Sequence, residues 1–180
     1  MKRMGYMEKV LIIDGQGGML GKQMVEAVKK IMPDAEITAV GTNIAATTCM
    51  LKAGASNGAT GENAVIVGAR NAEIIVGPIG IAIADSLLGE ITPAMAVAVG
   101  QSQAKKILIP VNKCNNIVIG TEDKTTSELI AEAIEKIKES AEADILIPEG
   151  TSIRPEGRSC IFYFLENPEE NPKDTFPRGG

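Results

Sequence analysis

A strand, a glycine-rich turn and a helix follow one another without interruption between Val10 and Lys22, and this succession restricts the fold more than any other part of the chain. Val10-Leu11-Ile12-Ile13 is an unbroken apolar run of the kind found in strands buried on both faces of a parallel sheet. Asp14 ends it. Leu20, Met24, Val28 and Ile31 then recur at helical spacing on one face, with Lys22, Glu26, Lys29 and Lys30 elsewhere, until Pro33 closes the helix. The unit reads as strand Lys9 to Asp14, turn, and amphipathic helix.

Further βα units follow the same pattern. Glu36 to Val40 is a second strand, and Ile44 to Ala53 a helix closed by Gly54. Residues 64–67 fit either a strand or a helix. A strand there would leave about five residues before the strand that ends at Val76, while a parallel crossover needs a dozen or more, so a helix with Thr60 as its cap is preferred. Thr92-Pro93 starts a helix to about Gln103 that is apolar nearly all round, and is therefore expected to be buried in the domain or in a subunit interface. Lys106 to Val111 and Asn116 to Ile119 read as strands. Thr125 and Glu128 form a capping box for a helix with Ile130, Ile134 and Ile137 inward and Glu132, Glu135, Lys136 and Glu139 outward. The expected class is α/β: a Rossmann-like, doubly wound, mostly parallel sheet with helices on both faces. Composition changes near Ile147, which divides residues 1–147 from a Pro-rich tail, 148–180, with one apolar segment from Cys160 to Leu165.

The turn itself carries the chemistry. Gly15, Gly18 and Gly21 give G-x-x-G-x-x-G, the spacing seen in short-chain dehydrogenases and nucleotide-sugar epimerases, and Gly15, Gly17 and Gly21 give G-x-G-x-x-x-G. Residues without Cβ let backbone N–H groups approach a diphosphate, and the following helix N-terminus favours the anion. The strict G-x-G-x-x-G fails at Leu20, and a phosphate loop of the Walker type fails at Gln16 and Gln23. At the end of the second strand, where an NAD site carries Asp or Glu, stand Val40-Gly41-Thr42-Asn43; Thr42 and Asn43 either bond a ribose or cap the next helix. A second turn, Gly77-Pro78-Ile79-Gly80, is expected on the same edge, its glycines serving a ligand or only the turn. The expected binding set is Gly15, Gln16, Gly17, Gly18, Gly21, Thr42, Asn43, Gly77, Pro78 and Gly80, for a phosphate-bearing ligand with NAD or NADP as candidate cofactors. Glu62, Asp85 and Glu90 are other polar residues expected on that edge, as are Lys113 and Cys114. Candidates for proton transfer or nucleophilic attack are Lys113, Glu62, Asp85 and Cys114.

Composition removes whole classes of activity. There is no histidine and no tryptophan, and nothing between Met7 and Ile161 is aromatic, so histidine-dependent triads and His-ligated metal are excluded. A net charge of -5 and the missing aromatic platforms argue against nucleic-acid binding. Only Tyr6 and Tyr163 occur, with Val10 and Asn167 four residues on, so the Tyr-x-x-x-Lys pair of short-chain dehydrogenases is missing too. Cys49, Cys114 and Cys160 form no C-x-x-C pair, so no metal site is expected and reduced thiols in a cytoplasmic protein are. Ile74 to Ala84 is too short and too broken to cross a bilayer, so no membrane association is expected.

The words Ile-Asp-Gly-Gln-Gly-Gly (13–18), Gly-Thr-Asn (41–43), Met-Leu-Lys-Ala-Gly-Ala (50–55), Gly-Ala-Thr-Gly-Glu-Asn (58–63), Gly-Pro-Ile-Gly-Ile (77–81) and Leu-Ile-Pro-Val-Asn-Lys-Cys (108–114) occur in order. Through them the chain resembles, over about residues 8 to 140, a family of small bacterial proteins catalogued only as a domain of unknown function. The resemblance implies a compact Rossmann-like cytosolic protein and supplies no activity. Two functions are expected from the residues. The first is binding of a nucleotide or dinucleotide across the two turns, with enzyme activity open. The alternative is a non-enzymatic regulatory or assembly protein whose glycine turns are structural, with a homo-oligomer or partner contact through the tail.

Overall fold

A computed structural model describes residues 8–111, 116–118 and 124–143. Lys113, Cys114 and the tail 148–180 lie outside the described residues. Five strands, β1 (Lys9–Asp14), β2 (Glu36–Gly41), β3 (Asn57–Thr60), β4 (Ile74–Pro78) and β5 (Lys105–Ile109), form one sheet in the order β3-β2-β1-β4-β5. Every pairing is parallel. The chain steps outward from β1 to β2 to β3, then returns to the other side of β1 for β4 and β5, which is the doubly wound Rossmann-like arrangement.

Alternation along β1 divides the core. Val10 and Ile12 pack with Met24, Val25 and Val28 of α1 (Met19–Ile31), Met50 of α2 (Ile44–Lys52), and Ile130, Ala133 and Ile137 of α6 (Thr126–Ala143). Leu11 and Ile13 face the opposite layer with Val65 and Ala69 of α3 (Glu62–Asn71), Ile81, and Met95, Ala96 and Val99 of α5 (Pro93–Gln101). Burying each of the Val, Leu, Ile and Met side chains among these is worth roughly 1.5–3 kcal/mol. A strand clothed on both faces can hold no polar residue until its end, which explains the position of Asp14.

Local chemistry sets the helix starts. Thr92 accepts from the Met95 N–H at 3.2 Å with Pro93 in the first turn. Thr125 and Glu128 close the expected capping box, with the Thr125 N–H donating to Glu128 at 2.7 Å. Residues 64–67 are helical, within α3, but the cap is Gly61, not Thr60, and it supplies no side-chain hydrogen bond. Thr60 instead ends β3, a strand that the sequence pattern does not predict.

Two other expectations are corrected. Gly77 and Pro78 still belong to β4, and the turn begins after them as a 3₁₀ turn, Ile79–Ala82. Residues 116–118 form no strand. Of the two burials expected for α5, its own domain supplies only part: α5 packs on the sheet layer through Met95, Ala96, Val99 and Ala98, and Val97 stays 53 % exposed.

Gly18 lets α1 and α2 meet. Its φ is 67°, and a Cβ there would lie 2.6 Å from the Ala46 Cα. Gly18→Ala should therefore lower the unfolding free energy by about 2 kcal/mol or more, combining a left-handed alanine with a backbone clash. Urea denaturation measures this, and an unchanged midpoint would show that the turn relaxes without cost.

Candidate functional site

Register brings the carboxyl ends of the strands to one edge. Asp14 lies opposite Gly41, Gly41 opposite Thr60, and Pro78 opposite Ile109. Between β1 and β4 the chain departs to opposite faces, α1 to one and the 3₁₀ turn and α5 to the other, and a crevice opens at such a switch point. Its volume is about 180 Å³, and residues 14–20 line it on one side and Pro78, Ile79 and Gly80 on the other. Leu87, Val111 and Asn116 complete the wall. A larger groove of about 540 Å³ runs along β1, β2 and α3 and includes Lys9 and Glu36 at the strands' amino ends. The smaller crevice is the better candidate, since both expected turns converge there.

Asp14 ties the glycine turn together. Its Oδ1 accepts from the Gly15 N–H at 2.8 Å and its Oδ2 from the Gly21 N–H at 2.7 Å. The helix cap, Gly18, has no side chain, so this carboxylate serves one of the amides in the first turn of α1. Burial pushes the Asp14 carboxyl above its ordinary value of 3.8; the Gly21 and Gly15 amides pull it back, and the Glu90 charge adds to the rise. Among the described residues lining the crevice, Asp14 is the one ionisable side chain.

The turn from Gly15 to Gly18 closes through the Gly18 N–H on the Gly15 carbonyl at 2.9 Å. Left-handed φ values fall on Gln16 (51°) and Gly18 (67°), not on Gly15 or Gly17. The Gln16 N–H donates to Glu90 Oε2 at 2.8 Å. Thr42 donates its hydroxyl to the same oxygen, and Asn43 Nδ2 reaches it at 3.3 Å. Asn43 also donates to the Gln16 carbonyl at 3.0 Å and caps α2 by accepting from the Ala46 N–H at 2.9 Å. Glu90 is half-buried. Burial works against its charge, yet the hydrogen bonds from Thr42, Gln16 and Asn43 outweigh it and hold the carboxyl below the ordinary 4.5.

A strained segment delivers Glu90. The four-residue α4 (Ser86–Gly89) is a left-handed turn: Asp85, Leu87, Leu88 and Gly89 have φ of 60°, 53°, 61° and 86°. Ser86 Oγ donates to the Gly80 carbonyl at 2.5 Å, and the Asp85 N–H to the Ile91 carbonyl at 2.8 Å. Leu87 is buried against Gly15, while Leu88 is 91 % exposed.

The expected binding residues therefore divide. Gly15, Gln16, Gly17, Gly18, Pro78 and Gly80 line the crevice, and Thr42 and Asn43 adjoin it across Gln16. Gly21 and Gly77 do not line it. Gly21 packs against Met50 and Asp14, and Gly77 against the Ile13 carbonyl and Ile81, so neighbours explain both glycines. Of the proton-transfer candidates, Glu62 accepts from the Thr92 hydroxyl at 2.5 Å, and neither it nor the exposed Asp85 lines the crevice. Asp14 and Glu90 are the functional-looking carboxylates that sequence reasoning left without a role. Asp14 was signalled by a polar residue closing an apolar strand; Glu90 had only its place before the capped α5. Among the described residues no group of three or more potential metal ligands occurs, and no helix is long and apolar enough to cross a membrane.

A family model described as "Domain of unknown function (DUF3842)" matches residues 9–142. The chain belongs to this family. That agrees with the resemblance carried by its sequence words. No curated protein matches it. Among solved structures it is similar to a dodecameric FMN-dependent UbiX-like decarboxylase from Escherichia coli O157:H7, at 13 % identity, a TM-score of 0.37, and coverage of 76 % of this chain and 95 % of that one.

The Glu90 contacts predict a pH dependence. With its folded-state value lowered, the contribution of Glu90 is fully present above pH 4.5 and is lost as pH falls through the folded-state value. Glu90→Gln should melt below the parent at neutral pH, and the gap should shrink as the medium is acidified below that point. Thermal denaturation of both proteins from neutral to about pH 3 reads this; a gap that stays constant would exclude ionised Glu90 as its source.

Proposed function

We propose that the chain binds a nucleotide, a dinucleotide or a related phosphate-bearing ligand at the carboxyl edge of the sheet. The phosphate lies over Gly17 and the start of α1, and the rest of the ligand occupies the crevice beside Pro78 and Gly80. Gly17 carries this reading. A Cβ there would meet nothing within 4 Å, and its φ is not left-handed, so neither packing nor backbone conformation requires glycine. Its N–H also has no partner among the described residues. Close approach of a ligand to the main chain accounts for both facts.

The crevice is smaller than the 300–1,000 Å³ or so typical of ligand pockets. It thus takes one part of such a ligand, the remainder extending over Gln16 toward Thr42 and Asn43. NAD and NADP are candidates on this reading. Any proton transfer by the described lining runs through Asp14, with Lys113 and Cys114 as proposed contributors from outside the described residues.

The alternative, a regulatory or assembly protein with structural glycines, has an observation of its own: Gly18, Gly21 and Gly77 are all demanded by close neighbours. Gly17 separates the two readings. A ligand at a hundred times its Kd adds about 2.7 kcal/mol of stability, or several degrees in Tm at roughly 2–4 °C per kcal/mol. Melting the protein against NAD, NADP, ATP, GTP, FMN, FAD and coenzyme A should reveal a shift that Gly17→Val removes without lowering the Tm of the free protein. No shift with any compound would favour the structural reading, and a shift that Gly17→Val leaves intact would place the ligand away from Gly17.

A further inference from the structure

We propose that Glu90 is the specificity residue for the ligand's ribose: its Oε1 accepts from the 2′- and 3′-hydroxyls, so the site takes ribonucleotides and rejects 2′-deoxy and 2′-phosphorylated forms. This deepens the nucleotide reading above and rests on it. In nucleotide-binding sheets of this topology, a carboxylate at the end of β2 bonds the ribose hydroxyls. Here β2 runs into Gly41-Thr42-Asn43, with no acid. The structure puts one there by another route, since the Glu90 carboxylate rests on Thr42 and Asn43 and on the Gln16 amide.

The way the carboxylate is held leaves it able to act. All three described hydrogen bonds arrive at Oε2, and Oε1 keeps its acceptor capacity on a half-buried group. The same bonds favour its ionised form, so Oε1 presents a charged acceptor. A diol offers two hydroxyl donors to it, and hydrogen bonds to charged acceptors are the stronger ones. The residues Asp85, Leu87 and Leu88, which precede Glu90, are held in left-handed conformations that side chains with a Cβ disfavour. Backbone strain of this kind collects at ligand clamps. No Lys or Arg is bonded to Glu90 among the described residues, so a 2′-phosphate placed against it would meet that carboxylate's own negative charge.

Isothermal titration of the full chain with ATP and 2′-deoxy-ATP, GTP and 2′-deoxy-GTP, and NAD and NADP tests the assignment. In the pair or pairs that bind, the modified member should be about 10- to 100-fold weaker, the range for a hydrogen bond to a charged group. Glu90→Gln should narrow each gap, most of all between NAD and NADP. Should that variant fold poorly, the comparison in the parent protein stands alone. Equal affinities within every binding pair overturn the ribose assignment and leave nucleotide binding in place. So does a Glu90→Gln variant that binds both members of a pair more tightly by the same factor, since Glu90 would then be occupying the place of the ligand's anion. Binding of FMN but of none of the six overturns the ribose assignment and keeps a phosphate-bearing ligand. No binding of any compound overturns both.

Discussion

The Asp14 carboxylate is the point on which the edge of the sheet is built. It ends the central strand of the sheet, and its two oxygens hold the amides at both ends of the glycine turn. The chain can therefore reverse from β1 into α1 in a few residues with its first helical turn satisfied from below. That geometry draws α1 across β1 and brings Met24, Val25 and Val28 onto Val10 and Ile12. Burial makes the carboxylate costly to ionise, and the surrounding amides offset that cost only in part.

Asp14 and Glu90 between them divide the donors of the turn. Gly15 and Gly21 give their amides to the first, and Gln16 gives its amide to the second. A glycine-rich loop ordinarily offers those groups to a phosphate. In this chain much of that capacity is already met internally, and what is left lies at Gly17 and the start of α1. The edge is consequently more acidic than its glycine spacing suggests.

Legibility of the sequence followed the range of the interactions. β1 and α1 were readable because burial on both faces and a helical stripe each leave a periodic trace, and the caps at Thr92 and Thr125 because capping acts over three residues. The helical state of 64–67 followed from the length a parallel crossover needs. β3 was missed because Asn57-Gly58-Ala59-Thr60 has no β-branched or alternating pattern; pairing with β2 alone makes it a strand. For α5 the sequence left domain and subunit interface open, because composition cannot say which face of an apolar helix the domain covers. In the site, the glycine turn and Thr42-Asn43 were visible as contiguous words. Glu90 was not given a role, since its contact with Thr42 spans 48 residues and depends on a left-handed turn marked only by Gly89.

Strand order has a consequence for how the chain is made. β1 lies at the centre of the sheet yet precedes every other strand, and Val10 pairs with Ile74. During synthesis one side of this almost wholly apolar strand meets β2 early, while the other waits for β4. Sequence-distant parallel pairing is slow to form and leaves apolar edges open to association in the meantime. The interval between β2 and β4 is thus when one apolar edge of β1 has no strand to pair with.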